Sequence, residues 1–417
     1  MDRFEPPPRE SDFTVVGGGI VGLAVARQIL SDNPGARLAV VEAEDRLAAH
    51  QTSHSSGVIH AGVYYEPGSL KARLCREGRN ALFEYCDEQA IPYEKNGKLI
   101  VATRESEIPA LDRLETRARE NGVPGLTRLG REEIGTVEPH ARGVAAIHSP
   151  ETGVIEFGAV AARLADDVEG LGGSIHLSSP VVEAALTSRP DGSERLVLTT
   201  ARGPNVTRRA VFCAGLQADR LARMCGLEGG PRIVPFRGGY LRVRPGKTHL
   251  VRGNIYPVPD PDLPFLGAHL TRTSDGSVLI GPTAMPALDR HGYRLRSFDR
   301  RDALESAGWP GTWRLIARHP RATAKEALHS TVPRSLVSEA RRMLPGLSPK
   351  DVTRGPAGVR AQALDRDGSL VDDFLLERTD CAIHLLNAPS PAATSALALA
   401  RLITGRLQDG EAGPAAN

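Results

Sequence analysis

Apolar residues follow two rhythms along this chain. Dense runs at 13–16, 38–42, 98–102, 210–213 and 383–387 are too short for helices and read as buried strands. Between them, residues 109–121, 159–169 and 392–404 carry the apolar spacing of helices. Strands mixed with helices define an α/β or α+β fold and exclude an all-helical one. Residues 231–286 differ again: PFRGGYLRVRP, GNIYPVPDP and GSVLIGP alternate apolar positions with Gly and Pro breaks. That pattern predicts antiparallel strands joined by tight turns. No period of 20–50 residues recurs, so a solenoid or propeller is excluded.

The first strand leads into a glycine cluster. In DFTVVGGGIVGLAVARQIL, Gly17, Gly19 and Gly22 stand in G-x-G-x-x-G register. An apolar strand precedes them, and a helix with no polar residue before Arg27 follows. Asn33, Pro34 and Gly35 end that helix, and LAVVE closes a second strand on Glu42. The physical roles follow from the spacing: Gly17 permits the tight turn, Gly19 lets backbone approach a pyrophosphate, and Gly22 lets helix and strand pack closely. The helix N-terminus favours the phosphate charge. Glu42, about 20 residues past the last glycine, is placed to bond ribose hydroxyls and would repel the 2′-phosphate of NADP. The motif alone leaves FAD and NAD open.

Composition narrows the partners. A chain of 417 residues exceeds a single core, so two intertwined domains are expected. The 52 basic and 50 acidic residues nearly cancel, which argues against nucleic acid as a partner. Five cysteines (75, 86, 213, 225 and 381) form no C-x-x-C pair, as expected of reduced thiols in a cytoplasmic enzyme without a metal site. The start, MDRFEPPPRESD, has no apolar signal segment, and no apolar run is long enough to span a bilayer; peripheral membrane contact stays open. Residues 1–11 and 408–417 are expected to be disordered.

Further segments carry a resemblance: HQTSHSSGVIHAGVYYEPGSLKARLC, PFRGGYL, GNIYPVPDP, GPAGVRAQALDRDGSLVDDF and LLNAPSPAATSALALARLI. Together they resemble the L-2-hydroxyglutarate dehydrogenase/oxidase family, within the D-amino-acid-oxidase-like flavoproteins, from about residue 12 to about residue 407. The resemblance implies non-covalent FAD in a discontinuous, glutathione-reductase-like Rossmann domain built from 12–90, 150–228 and 352–407. A largely antiparallel substrate domain with helices would comprise 91–149 and 229–351. It implies cofactor contacts from Thr52, Ser55, Ser56, Val181, Ala214, Gly215, Asn387, Ser390, Ala392 and Thr394. One departure is visible: the loop reads Ser53-His54-Ser55-Ser56-Gly57 where the family has G-H-N-S-G, and Ser55 keeps a hydrogen-bonding side chain. Ser390 and Pro391 also suit the N-cap and first turn of a helix whose positive end would face an anionic reduced flavin.

A 2-hydroxy acid oxidase needs a cation for the carboxylate, a base for the hydroxyl proton, and the Cα hydrogen over flavin N5. Arg360, in AGVRAQ, matches the superfamily's carboxylate clamp, and a guanidinium pairs with a carboxylate in bidentate fashion. His60, in GVIHAG, and His269, in FLGAHLT, compete as the base; His60 is also placed to anchor a flavin covalently. Tyr256 and Arg237 are expected at the second wall, near the distal carboxylate of a five-carbon diacid. Tyr65, Lys71 and Arg73 follow the flavin loop. The leading expectation is FAD-dependent oxidation of L-2-hydroxyglutarate, with electrons leaving to oxygen or a quinone-linked acceptor. Two alternatives remain: a paralogue oxidising another hydroxy acid, an amino acid, or a sugar or cyclitol alcohol, and a non-catalytic flavin-binding electron-transfer subunit.

Overall fold

The structure is a computed structural model that describes residues 2–259 and 266–408. An eight-stranded sheet contains the glycine cluster. Strand Glu10–Val16 lies between two parallel neighbours, Leu38–Val41 and the C-terminal half of Gly203–Phe212. Ser174–His176 extends one side in parallel, and Ala382–Asn387 runs parallel to the end of Gly203–Phe212. Val181–Ser188 and Glu194–Thr200 add an antiparallel flap. Helix Ile20–Asp32 buries Leu23, Ala24, Val25, Ala26, Ile29 and Leu30. With helices Phe157–Gly170 and Ala396–Gln408 it builds the largest core against this sheet. Dense apolar strands covered by helices are what a parallel sheet requires.

The second sheet has nine strands. Arg232–Val243, Val278–Gly281, His269–Arg272 and Asn254–Pro257 form an antiparallel series. At its edge Asn254–Pro257 pairs in parallel with Lys98–Ala102, which the alternation of residues 231–286 did not predict. Residues 260–265, inside that region, lie outside the described residues. Strand Val352–Leu364 pairs along its length with Arg232–Val243. The expectation that 352–364 belongs with the Rossmann segments is therefore corrected: its ladder partner is the second sheet. A small sheet of Val58–Ile59, Gly153–Ile155 and Tyr93–Glu94 sits apart from the two large ones. Four helices between Arg300 and Ala340 went unread in the sequence.

The N-terminal expectation is also corrected. Leu177 N donates to Arg3 O at 2.7 Å, Asn205 Nδ2 to Pro8 O at 2.8 Å, and Arg3 holds Glu169 through two bonds of 2.9 and 2.8 Å. Backbone and side-chain groups of the folded chain satisfy this proline-rich segment, which lacks amide donors of its own at Pro6, Pro7 and Pro8. Of the expected disordered tail, 409–417 lie outside the described residues, while Gln408 ends a helix.

Candidate active site

Each glycine of the cluster answers a different constraint. Gly17 has φ +113°, and a Cβ there would strike the carbonyl oxygen of Cys213. A Cβ on Gly22 would run into the backbone of Gly17, so this glycine sets how closely helix and strand approach. A Cβ on Gly19 would meet only Thr52 Oγ1, at 3.3 Å; Gly19 lines the cavity. The helix behind it starts without a cap from its own Ncap side chain, and Thr52 Oγ1 accepts from Ile20 N at 3.1 Å. Glu42 ends its strand with Oε2 accepting from Gly18 N at 2.6 Å and Oε1 from Glu44 N at 2.9 Å. The carboxylate is thus fixed in direction, with lone pairs remaining for further donors.

One cavity of about 1020 Å³ joins this turn to the second sheet. Glu42, Val181, Gly17, Gly19, Ala214 and Gly215 line it, as do Thr52, Ser55, Ser56, Ser390, Ala392 and Thr394. His60, Tyr65, Lys71, Tyr256, His269 and Arg360 also face it. The loop at 50–57 is held to strand Val352–Leu364: Ala361 N donates to Gln51 Oε1 at 3.1 Å, and His54 Nδ1 donates to Ala357 O at 3.1 Å. That clasp carries Arg360 toward the turn.

His60 is fixed at two points by the turn 390–394. Its backbone N donates to Thr394 Oγ1 at 3.1 Å, and its Nε2 lies 3.2 Å from Ser390 Oγ. Burial, together with the positive charge of Lys98, holds its pKa well below that of an ordinary histidine. His269 sits opposite, 7 % exposed, donating Nδ1–H to Gly267 O at 3.0 Å. That bond leaves Nε2 with a lone pair. Burial pushes His269 down to about 3, so both rings are neutral at pH 7. Tyr256 stacks on His269 with ring centres 3.9 Å apart, and burial pushes its phenol up.

Four expectations are met otherwise. Arg237 does not line the cavity; its Nε donates to Tyr293 O at 3.1 Å. Asn387 is buried behind the wall, where Nδ2 ties Val371 O and Asp373 O, each at 2.8 Å. Arg73 is exposed, whereas Lys71 is buried and paired with Asp372 at 2.9 Å. Ser390 is not the N-cap, because the helix begins at Ala396; its hydroxyl faces His60, and Ala392 N bonds Pro389 O instead. Sequence reasoning also missed Tyr64 and Tyr240 on the wall and Lys98 behind it. At the mouth, Glu44, His50 and His291 converge, with His50 Nε2 3.0 Å from both Glu44 Oε1 and His291 Nδ1. His291 lies far from the other two in the chain, so no spacing announced the cluster.

The cavity fits an extended dinucleotide. Its volume reaches the top of the roughly 300–1,000 Å³ range of small-molecule sites. A side-chain-free position at Gly19, the N-terminus of the helix behind it and the Glu42 carboxylate all line the cavity, as a pyrophosphate and ribose require. Residues 12–406 match the family described as FAD dependent oxidoreductase, and the chain belongs to that family. Its cofactor is FAD. Among curated relatives, the L-2-hydroxyglutarate dehydrogenase, mitochondrial, of Caenorhabditis elegans is 45% identical over 409 residues, covering 95% of this chain and 94% of its own. The human protein of the same name is 42% identical, covering 95% and 88%. An L-2-hydroxyglutarate dehydrogenase of Escherichia coli is 42% identical, covering 95% and 93%. Among solved structures, the FAD-bound L-alpha-glycerophosphate oxidase of Mycoplasma pneumoniae shares the fold with a TM-score of 0.77 at 22% identity, covering 96% of this chain and 95% of that one. Glycine oxidase from Geobacillus kaustophilus does so with 0.72 at 20%, covering 98% and 96%. Among the described residues, no helix is long and apolar enough to cross a membrane.

Proposed function

We propose that this chain oxidises L-2-hydroxyglutarate to 2-oxoglutarate. The observation that carries the reading is the meeting, in one cavity, of two neutral histidines and Arg360 with the dinucleotide turn. Relatives named for that reaction, 40–45% identical over nearly the whole chain, support the same substrate. FAD, when bound, supplies the hydride acceptor at flavin N5. Arg360 holds the carboxylate beside the reacting carbon, and its planar fork fixes the Cα–H direction. His60 takes the hydroxyl proton as the hydride leaves, so two electrons and two hydrogens depart together. Ser390 Oγ, exposed and 3.2 Å from Nε2, then gives that proton a way out to water. His269 has no such exit, since Nδ1 is tied to a carbonyl and the ring is buried; its Nε2 lone pair accepts a hydrogen bond from substrate. Electrons leave to oxygen or to a quinone-linked acceptor, the latter bringing the cytoplasmic enzyme to a membrane surface.

The test is product analysis with an artificial electron acceptor. The reading expects 2-oxoglutarate from the L isomer and none from the D isomer. Turnover of a different hydroxy acid, amino acid or neutral alcohol, with no 2-oxoglutarate formed, overturns it.

A further inference from the structure

Lys98 is the first residue of strand Lys98–Ala102 and is 2 % exposed. Neighbouring strands clamp its backbone position from both sides, Asn254 in the parallel register and Ser149 in the antiparallel one. The ammonium does not reach bulk solvent. Its Nζ lies 4.2 Å from the centre of the Tyr256 ring and 5.1 Å from that of Tyr64. Both tyrosines line the cavity, and His269 is stacked on Tyr256. Among the described residues Lys98 forms no ion pair; it differs there from Lys71, which holds Asp372. Tyr64 Oη is likewise buried without a hydrogen-bond partner.

A buried ammonium without a counter-ion is costly, and ring faces repay only part of that cost. Burial accordingly lowers the Lys98 pKa to about 7. An apolar side chain would fill this strand position more cheaply, so the charge calls for a function. The two nearby histidines offer none, because both are neutral. Among the described residues, the cavity in front of the tyrosines is where an anion can approach it.

We propose that Lys98 sets the charge class of the substrate: held behind Tyr64 and Tyr256, its ammonium is the counter-ion of the second carboxylate of a dicarboxylate. The inference rests on the 2-hydroxy acid reading above and adds a specificity-determining residue to it. Lys98 acts through the wall rather than by touching the reacting atoms, and Tyr64 and Tyr256, which line the cavity, stand between its ammonium and the substrate.

The test compares the holoenzyme with K98M, K98Q and K98R on two substrates of equal chain length, L-2-hydroxyglutarate and L-2-hydroxypentanoate. In K98M and K98Q the preference for the diacid, as a ratio of kcat/KM values, should fall roughly 30-fold or more, chiefly through KM. K98R should keep part of it. Equal losses on both substrates overturn the proposal and leave Lys98 a structural residue or one that tunes the histidines. Titration of the flavin absorbance with glutarate and with pentanoate needs no turnover. Glutarate should bind the unsubstituted protein more tightly than pentanoate, and K98Q should erase the difference. No difference in the unsubstituted protein overturns the proposal. Failure to oxidise L-2-hydroxyglutarate, with glutarate selectivity intact and dependent on Lys98, would instead sink only the proposed reaction.

Discussion

Replacing Arg290 with Met probes how the cofactor side of the cavity is held. Arg290 is 2 % exposed and grips Asp219 with both nitrogens, Nη1 to Oδ1 at 2.6 Å and Nη2 to Oδ2 at 3.1 Å. Nη1 also donates to Leu216 O, and Nη2 to Ile233 O at 3.1 Å. The cluster ties the turn Gly215–Gln217, on the cavity wall, to strand Arg232–Val243. Methionine fills most of the volume but leaves the Asp219 carboxylate buried, with Arg223, at 3.4 Å, as its remaining ion-pair partner among the described residues. Breaking a buried pair from one side costs about 3–5 kcal/mol. For 417 residues, an unfolding entropy of about 2 cal/mol/K per residue turns that into a Tm drop of about 3–6 °C. Thermal unfolding with FAD in excess reads the change without loss of cofactor. Adding Asp219→Asn removes the stranded charge and should recover a large part of the drop. A drop below about 1 °C for Arg290→Met, or a double variant no more stable than the single, refutes the reasoning.

Other outcomes follow from the site and the buried histidines. His60→Ala should lower kcat by about 10²–10⁴-fold while the protein stays yellow; near-normal kcat would move the base to His269. Arg360→Ala should raise KM severely or abolish turnover, and Arg360→Lys should recover only part, because a point charge cannot pair in bidentate fashion; steady-state kinetics with the free acid and its amide checks this. His384 is buried against Phe212, and burial lowers its pKa from 6.5 to about 4. Between those values the unfolded chain binds a proton that the folded one does not, so stability is full above pH 6.5 and falls as the pH drops toward 4. The contribution is about 1.4 kcal/mol per pH unit, and His384→Gln should flatten the slope of denaturant stability against pH by that amount.

The local patterns were the most legible part of this molecule. The strand–turn–helix–strand from residue 10 to residue 42 could be read because each glycine has a local steric cause and the helix has no polar residue before Arg27. Helices Ile108–Glu120 and Phe157–Gly170 lie within two residues of their predicted bounds, since periodicity survives folding. Pairing was less legible. Strand Val352–Leu364 follows the flavin-family motif but pairs with the second sheet, and nothing local distinguishes the two. Arg237 and Arg360 stand on paired strands in adjacent register, Phe236 opposite Arg360. Side chains alternate across a sheet, so a one-residue offset sends one arginine to the cavity and the other to Tyr293 O. In the sequence Lys98 reads only as part of the buried strand 98–102, with no role of its own. Its burial comes from strand partners some 50 and 150 residues away, beyond any local window.

Anaerobic mixing of the purified protein with L- and D-2-hydroxyglutarate, following the flavin band at about 450 nm, tests the central claim most directly. The account predicts rapid bleaching by the L isomer alone, with one equivalent of 2-oxoglutarate per flavin. No bleaching by the L isomer, or equal bleaching by both, would contradict it.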